Sequence, residues 1–396
     1  MTRTINSSSF FKTLKESMIA FFFDFGGIIA GFIVASQFDV FSRFPWAIAV
    51  YPAILSARGM ISGLFSGRLG TALHTGTIYP KLFGNTRSFY SLFQAIIVVT
   101  LETSIAMSFV SVVFGSLFWE ISLADMSNVI IIVTATMALG LILSLFTVAV
   151  SFTTFKHGLD PDVIEYPIMS TVADIFITIC YVLTLAAYFY FQYAIIFIGL
   201  FHIALSTYIF LHNFRESEFI KTIKESLLTL IFVAFIVNIT GTILKRISLE
   251  GNKEIYTVYP ALIDMVGDVG SVVGSTATTK LALGFLRPSF SSIRKHMSQI
   301  LSAWTASIIY FVIFSAFSLI INNSFTPYQF LVFTTLLLLT NAFAVTAIII
   351  ISYSISILTF QRGLDPDNFV IPIESSLADS ITTAALLIAL FLLSSL

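Results

Sequence analysis

Charge is what this sequence has least of. Its 20 Lys and Arg and 21 Asp and Glu amount to 10% of 396 residues, where a soluble domain carries roughly 25%. The net charge of −1 argues against a nucleic-acid partner. A single cysteine, Cys180, lies inside an apolar run and excludes an intrachain disulfide and a thiolate metal site. The five histidines (His74, His157, His202, His212 and His296) have no metal-ligand spacing. Nothing resembles an ATP-binding loop, so the chain alone is not an ATP-driven pump. The polar stretch Met1–Ser17 leads into an apolar run too long for a signal-peptide core, and no cleaved signal is expected.

Apolar residues are abundant instead, at 57%, with a mean hydropathy of +0.96. Many apolar runs exceed the ~20 residues a helix needs to cross a bilayer. The sequence therefore reads as an all-α polytopic membrane protein whose surroundings are the lipid bilayer. Eleven spans are predicted, near 18–36, 45–73, 89–118, 129–155, 165–190, 192–211, 219–244, 258–285, 298–321, 329–358 and 370–394. The 42 phenylalanines serve most simply as lipid-facing or packing bulk.

Two stretches repeat. His157-Gly-Leu-Asp160-Pro-Asp162-Val-Ile-Glu165-Tyr-Pro167-Ile-Met-Ser170-Thr-Val-Ala-Asp174 shares ten of eighteen residues with Arg362-Gly-Leu-Asp365-Pro-Asp367-Asn-Phe-Val-Ile-Pro372-Ile-Glu374-Ser375-Ser-Leu-Ala-Asp379, 205 positions on. The chain is a duplication: residues 1–190 form a first five-helix repeat, 191–213 a linking helix, and 214–396 a second repeat. A five-helix unit ends across the membrane from where it began. One added crossing restores the direction, so the repeats are expected to run parallel and one chain to act as a pseudo-dimer. With the N-terminus cytoplasmic and the C-terminus outside, inner segments hold thirteen Lys and Arg and outer ones four, a positive-inside bias. The cell membrane is the expected location.

Among the acidic residues inside spans are Asp24, Glu102, Asp174, Asp264, Asp268 and Asp379. Few basic residues lie inside spans to answer them, among them Arg58, Arg68 and Lys280. An aspartate at a helix centre costs ~2.5–3.5 kcal/mol on insertion scales, and a surplus of such groups suits a cation path. Asp174 follows Pro167 by seven residues and Ser170 by four, which puts the three on nearly one helix face. Asp379, Pro372 and Ser375 repeat the arrangement. Each proline frees a carbonyl one turn earlier. Carboxylate, hydroxyl and carbonyl are hard oxygen groups of the kind Mg²⁺ prefers, a cation that keeps several of its waters. Helix-to-helix pairing for packing alone is the alternative reading of these aspartates, and the duplication together with the prolines argues against it. Asp160-Pro161 and Asp365-Pro366 are plain helix starts, Asp as N-cap and Pro at the first position. With Asp162, Asp367 and Glu165 they would also make an acidic vestibule on the inner side.

The second span of each repeat is rich in small residues after a proline. At an offset of 208, Pro52 meets Pro260, Gly59 meets Gly267, and Gly63 and Gly67 meet Ser271 and Ser275. Close helix packing explains the small residues but not Asp264 and Asp268. Arg58 stands in the first repeat near the position Asp268 takes in the second, so a path lined by both would be electrically lopsided.

Gly-Leu-Asp-Pro, then Pro, then Ala-Asp in the following helix resembles the membrane domain of the MgtE magnesium channels. The duplicated form with a linking helix is similar to the eukaryotic solute-carrier magnesium transporters. The resemblance covers nearly the whole chain as two copies, and Arg68-Leu-Gly-Thr71 is a weaker match to the solute-carrier branch. It implies that Asp174 and Asp379 line a path for hydrated Mg²⁺. The residues themselves add Asp264 and Asp268 as further metal candidates and Ser170, Ser375, Asp24 and Arg58 as candidates for the ion path. The family's Gly-Gly-Asn stretch appears here as Arg58-Gly59-Met60 and Val266-Gly267-Asp268, a departure in both copies. The regulatory cytosolic domains of the bacterial channels have no counterpart in this chain. The expected function is divalent-cation transport, of Mg²⁺ first, along a carboxylate-lined path at the interface of the repeats. A secondary exchanger coupled to Na⁺ or H⁺ is the first alternative. An intramembrane aspartyl protease is the remote one, since Pro260-Ala261-Leu262 precedes Val-Gly-Asp268 where that class places it later.

Overall fold

The computed structural model describes residues 7–119, 121–157, 161–248, 253–363 and 367–394, and within its helices the side chains of 161–170 and 367–376, with a few others, lie outside the description. The described residues form helices and no strand. In chain order these are α1 (Ser7–Ala20), α2 (Phe25–Ser36), α3 (Phe38–Ser42), α4 (Ala47–His74), α5 (Arg87–Phe114), α6 (Leu123–Gly140) and α7 (Ile142–Lys156). There follow α8 (Pro161–Tyr190), α9 (Gln192–Asn213), α10 (Ser217–Ser248), α11 (Lys253–Ala282), α12 (Met297–Ile321), α13 (Pro327–Gln361) and α14 (Asp367–Ser394).

Helix boundaries follow local chemistry. The Thr86 hydroxyl accepts from the Phe89 N–H at the start of α5. Ser122 and Asp125 form a reciprocal capping box at α6. Thr326 caps α13 with Pro327 at its first turn. At the other ends, Gly76 and Gly284, at φ +71° and +72°, close α4 and α11. The Gly76 N–H reaches Leu73 O and the Thr77 N–H reaches Ala72 O, at 3.1 and 3.0 Å; the Gly284 and Phe285 N–H groups reach Leu281 O and Lys280 O, at 3.0 and 2.8 Å. This is one Schellman closure used twice, 208 residues apart, so the duplication extends to turn geometry.

Among the described residues nine helical segments are long and apolar enough to cross a membrane. Nine of the eleven predicted spans map onto them. The predicted spans 219–244 and 258–285 fold as α10 and α11, of 32 and 30 residues. At 1.5 Å per residue each is long enough to cross. In α10, residues 227–244 carry no charge and are mostly apolar, and the helix falls outside the nine only because several of its side chains lie outside the description. In the span 258–285, Asp264, Asp268 and a run of Gly, Ser and Thr dilute the apolar residues of α11. The polar N-terminal stretch, expected to precede the first span, is helical from Ser7, with a Lys12–Glu16 pair at 3.9 Å one turn apart. The predicted span 129–155 forms α6 and α7, which run on as one 32-residue stretch; at Leu141, itself αR, the hydrogen bonds tighten to i−3 (Leu141 N–H to Ala138 O, Ser144 N–H to Leu141 O), and the counterpart α13 runs for 35 residues.

Two compact units result, and they do not follow chain order. Met1–Ala35 joins Leu249–Leu396 in one, and Ser36–Ser248 forms the other. Relative to the sequence repeats, the first helices are exchanged. Glycines make this packing tight. In the first unit a Cβ on Gly27 would lie 2.5 Å from Ala261 N, and one on Gly31 would overlap the carbonyl oxygens of Tyr256 and Thr257. In the second unit a Cβ on Gly241 would overlap the Ala49 carbonyl. Ala49 and Thr257 are repeat equivalents, so each first helix meets the same carbonyl of an α4-type helix, close to the proline inside it (Pro52 or Pro260).

Candidate functional site

In the first unit the chemistry gathers on α11 and α14. The Tyr259 hydroxyl lies 2.8 Å from Thr383 Oγ1, and that threonine donates to Asp379 O at 2.6 Å. Eight residues further along α11, a Cβ on Gly267 would lie 3.6 Å from Ala378 Cβ. As α11 advances α14 recedes, so the helices run antiparallel and Asp264 falls at the depth of Asp379. Asp268 follows one turn on, on the same face as Asp264. Asp379 is 8% exposed, and Asp264 and Asp268 are half-buried. Asp24 is buried in the tight turn between α1 and α2, three residues before Gly27 meets Pro260 and Ala261.

The second unit repeats the frame with fewer acids. The Tyr51 hydroxyl lies 2.9 Å from Thr178 Oγ1, and the Tyr181 hydroxyl donates to Ala47 O at 2.8 Å. Asp174, buried, stands one turn before Thr178. At the positions matching Asp264 and Asp268 the chain has Ser56 and Met60. Added Cβ atoms on Gly59 and Gly63 would meet nothing within 4 Å, so this face of α4 borders open space. Arg58 sits about 100° around the helix from Gly59 and is 1% exposed. Its Nη2 donates to Ser144 Oγ at 3.3 Å, while Nε and Nη1 have no hydrogen-bond partner.

Among the described residues no group of three or more His, Cys, Asp or Glu could hold a metal ion. The acids of α11 and α14 share a depth without converging on a point, an arrangement suited to a cation that keeps its water. Asp160 and Asp365 lie outside the described residues, as do the side chains of Asp162, Ser170, Asp367 and Ser375.

Sequence reasoning did not anticipate the tyrosine–threonine pairs. The Tyr51–Thr178 and Tyr259–Thr383 pairs were legible, in hindsight, as a tyrosine and a threonine shared by the repeats at the two offsets. Glu102, expected inside a span, is half-buried on α5, with Oε2 sealed and without a hydrogen-bond partner. On the linking helix α9, His202 is 1% exposed and approaches Ile97 O at 3.3 Å through Nε2; its Nδ1 has no partner.

Comparison with known proteins is consistent with the duplication. The family model of MgtE, described as a divalent cation transporter, matches residues 51–184 and again 259–389. The chain is 22% identical to rat (Rattus norvegicus) solute carrier family 41 member 3 over 399 residues, covering 93% of this chain and 84% of that one. No solved structure matches.

Proposed function

We propose, for a chain that belongs to the MgtE family of divalent cation transporters, that the ion it carries is Mg²⁺ and that the carboxylates of α11 and α14 are its principal binding wall. The chain is an integral membrane protein of a transporter family, which fits a transporter rather than an enzyme. The observation that carries the proposal is the matched depth of Asp264 and Asp379 on an antiparallel helix pair, fixed by the Tyr259–Thr383 hydrogen bond. Hydrated Mg²⁺ binds through one or two carboxylates and several waters, which this spacing suits better than direct ligation by three. Asp174 on α8 is the equivalent group in the other unit and contributes to passage. The positive-inside bias supports a cytoplasmic N-terminus in the cell membrane, and the acidic stretches around Asp160, Asp162, Asp365 and Asp367 would then concentrate cations on that side.

Coupling to Na⁺ or H⁺ is a second reading, favoured by Glu102. A half-buried carboxyl with an unpartnered oxygen is a candidate for a coupling ion. Mg²⁺ flux into proteoliposomes tests both readings. Asp379→Asn and Asp264→Asn are expected to reduce flux at least tenfold while the protein stays folded; undiminished flux in both overturns the binding wall. A flux indifferent to imposed Na⁺ and pH gradients removes the exchanger reading.

A further inference from the structure

Asp24 is a buried carboxylate that the binding wall of α11 and α14 leaves unused. It closes the 3₁₀ turn Phe21–Asp24, which interrupts the first span between α1 and α2; such interruptions often mark a functional hinge. The residue is 5% exposed. Rings cover the turn on its α12 side: Phe21 and Phe25 pack on Tyr310, and Phe25 also on Phe314 and Phe317. The Tyr310 hydroxyl donates to Met18 O at 2.6 Å, and the ring lies close enough to Asp24 to interact with it electrostatically. The family model matches residues 51–184 and 259–389, so Asp24 stands outside both matched stretches.

The glycine contacts fix what Asp24 faces. Gly27 lies on Ala261 and Gly31 on Thr257, so α2 and α11 run antiparallel, with 27 against 261 and 31 against 257. Continuing that register sets Asp24 against Asp264. The helix faces agree. Asp24 precedes Gly27 by three residues and Gly31 by seven, and Asp264 follows Ala261 by three and Thr257 by seven. Both spacings stay on one face of a helix, so each carboxylate sits on the face its helix turns to the other. The turn Phe21–Asp24 itself packs against α11. Oδ2 of each carboxylate is sealed from solvent. The other unit repeats the contact without either acid. Gly241 meets the Ala49 carbonyl as Gly31 meets that of Thr257. Seven residues before Gly241 stands Ala234, buried, and the equivalent of Asp264 is Ser56. The two acids are thus present together in one unit and absent together from the other.

We propose that Asp24 is a further carboxylate of the cation site, acting with Asp264 on the same hydrated divalent ion, and that the exchange of first helices delivers it there. This rests on the binding wall proposed above. Two carboxylates that face each other away from water do not both keep their charge unless a cation or a proton comes between them. Mg²⁺ is bound through one or two carboxylates and several waters, which two facing aspartates supply without the three-ligand cluster that the described residues lack. Asp264 is half-buried, so the ion reaches the pair from the open side of α11. Binding there ties the 3₁₀ turn of the first span to the helix that carries Asp264 and Asp268.

The test measures the Mn²⁺ affinity of purified protein in detergent by electron paramagnetic resonance, with melting curves in ion-free buffer for every variant. Asp24→Asn is expected to weaken Mn²⁺ binding roughly tenfold without lowering the ion-free melting temperature, because it removes repulsion from Asp264 along with attraction for the ion. Asp24→Glu, which keeps the charge, is expected to bind near wild type. If Asp24→Asn binds Mn²⁺ as wild type does while Asp264→Asn and Asp379→Asn are weakened, the inference falls and the binding wall stands. If neither Asp264→Asn nor Asp379→Asn weakens binding, the wall falls and takes the inference with it. Unchanged affinity in Asp24→Asn, with an ion-free melting temperature that no longer depends on pH, would mean that a proton holds the pair and that the inference is wrong. The facing of the two acids is tested separately. In a Cys180→Ser background, Asp24→Cys with Asp264→Cys is expected to be stabilised by Cd²⁺ where either single cysteine is not; no such difference overturns the pairing. Should that double variant fail to fold, the Asp24→Asn and Asp24→Glu affinities decide alone.

Discussion

Replacing Gly31 by alanine separates the glycines that pack helices from those that border open space. Gly31 lies on the Tyr256 and Thr257 carbonyls of α11, and its added Cβ would also stand 2.7 Å from Thr257 C. These are backbone atoms, one turn before Pro260, and cannot rotate away as a side chain would. Forcing a methyl into such a contact costs ~1–3 kcal/mol. Against that, alanine in place of glycine favours a helix by about 0.8–1 kcal/mol. Gly63→Ala gains the helix term and meets nothing within 4 Å. The two variants should therefore differ by roughly 1–3 kcal/mol, the size of the clash. Melting in detergent should show Gly31→Ala below wild type by a few degrees and Gly63→Ala at or above it. Gly241→Ala, against the Ala49 carbonyl in the other unit, should behave like Gly31→Ala. A Gly31→Ala protein as stable as wild type, or a Gly63→Ala protein equally destabilised, would refute the packing argument and with it the exchanged first helices.

Tyr259→Phe removes a buried interhelical hydrogen bond and should cost about 1 kcal/mol, seen as a small drop in melting temperature; no loss of Mg²⁺ affinity would mean that the pair does not set the Asp264–Asp379 register. His296, at the entrance to α12, is held neutral: burial first, then the neighbouring Lys280, push its pKa from 6.5 down to about 4. Its Nε2 proton goes to Val273 O at 3.0 Å and its Nδ1 accepts from Lys280 at 3.2 Å. The unfolded chain takes up a proton below about 6.5 that the folded chain refuses until about 4, so stability should fall as pH drops through that window; His296→Gln should flatten the fall. Asp174→Asn should slow Mg²⁺ flux less than Asp379→Asn, measured with an entrapped indicator, and an equal loss would speak against unequal repeats.

The fold class was legible in the sequence because it is written in local pattern, and the two-fold match of the family model falls where the internal repeat was read. Hydropathy marks spans, and an offset of 205 or 208 aligns Asp174 with Asp379 and Pro52 with Pro260. The sequence did not carry which helices pack together. The exchange of first helices rests on Gly31 meeting Thr257 and Gly241 meeting Ala49, contacts between distant positions that no periodicity records. The local tightening of the helix at Leu141 was equally hidden, since no proline marks it and Gly140 alone is a weak signal. Arg58 was recognised as a charge inside a span, but its direction depends on the position of Ser144, 86 residues away. The start of the first helix at Ser7 was missed because hydropathy reports where lipid begins, not where helical hydrogen bonding begins.

The most direct test of the account is to locate the ion. Crystals grown with Mn²⁺ in place of Mg²⁺ and measured at the manganese absorption edge would give its position by anomalous scattering. The account predicts one strong peak within the membrane-spanning region, beside Asp264 and Asp379 at a water-mediated distance, and none beside Asp174. A peak away from all of Asp264, Asp268 and Asp379 would contradict it.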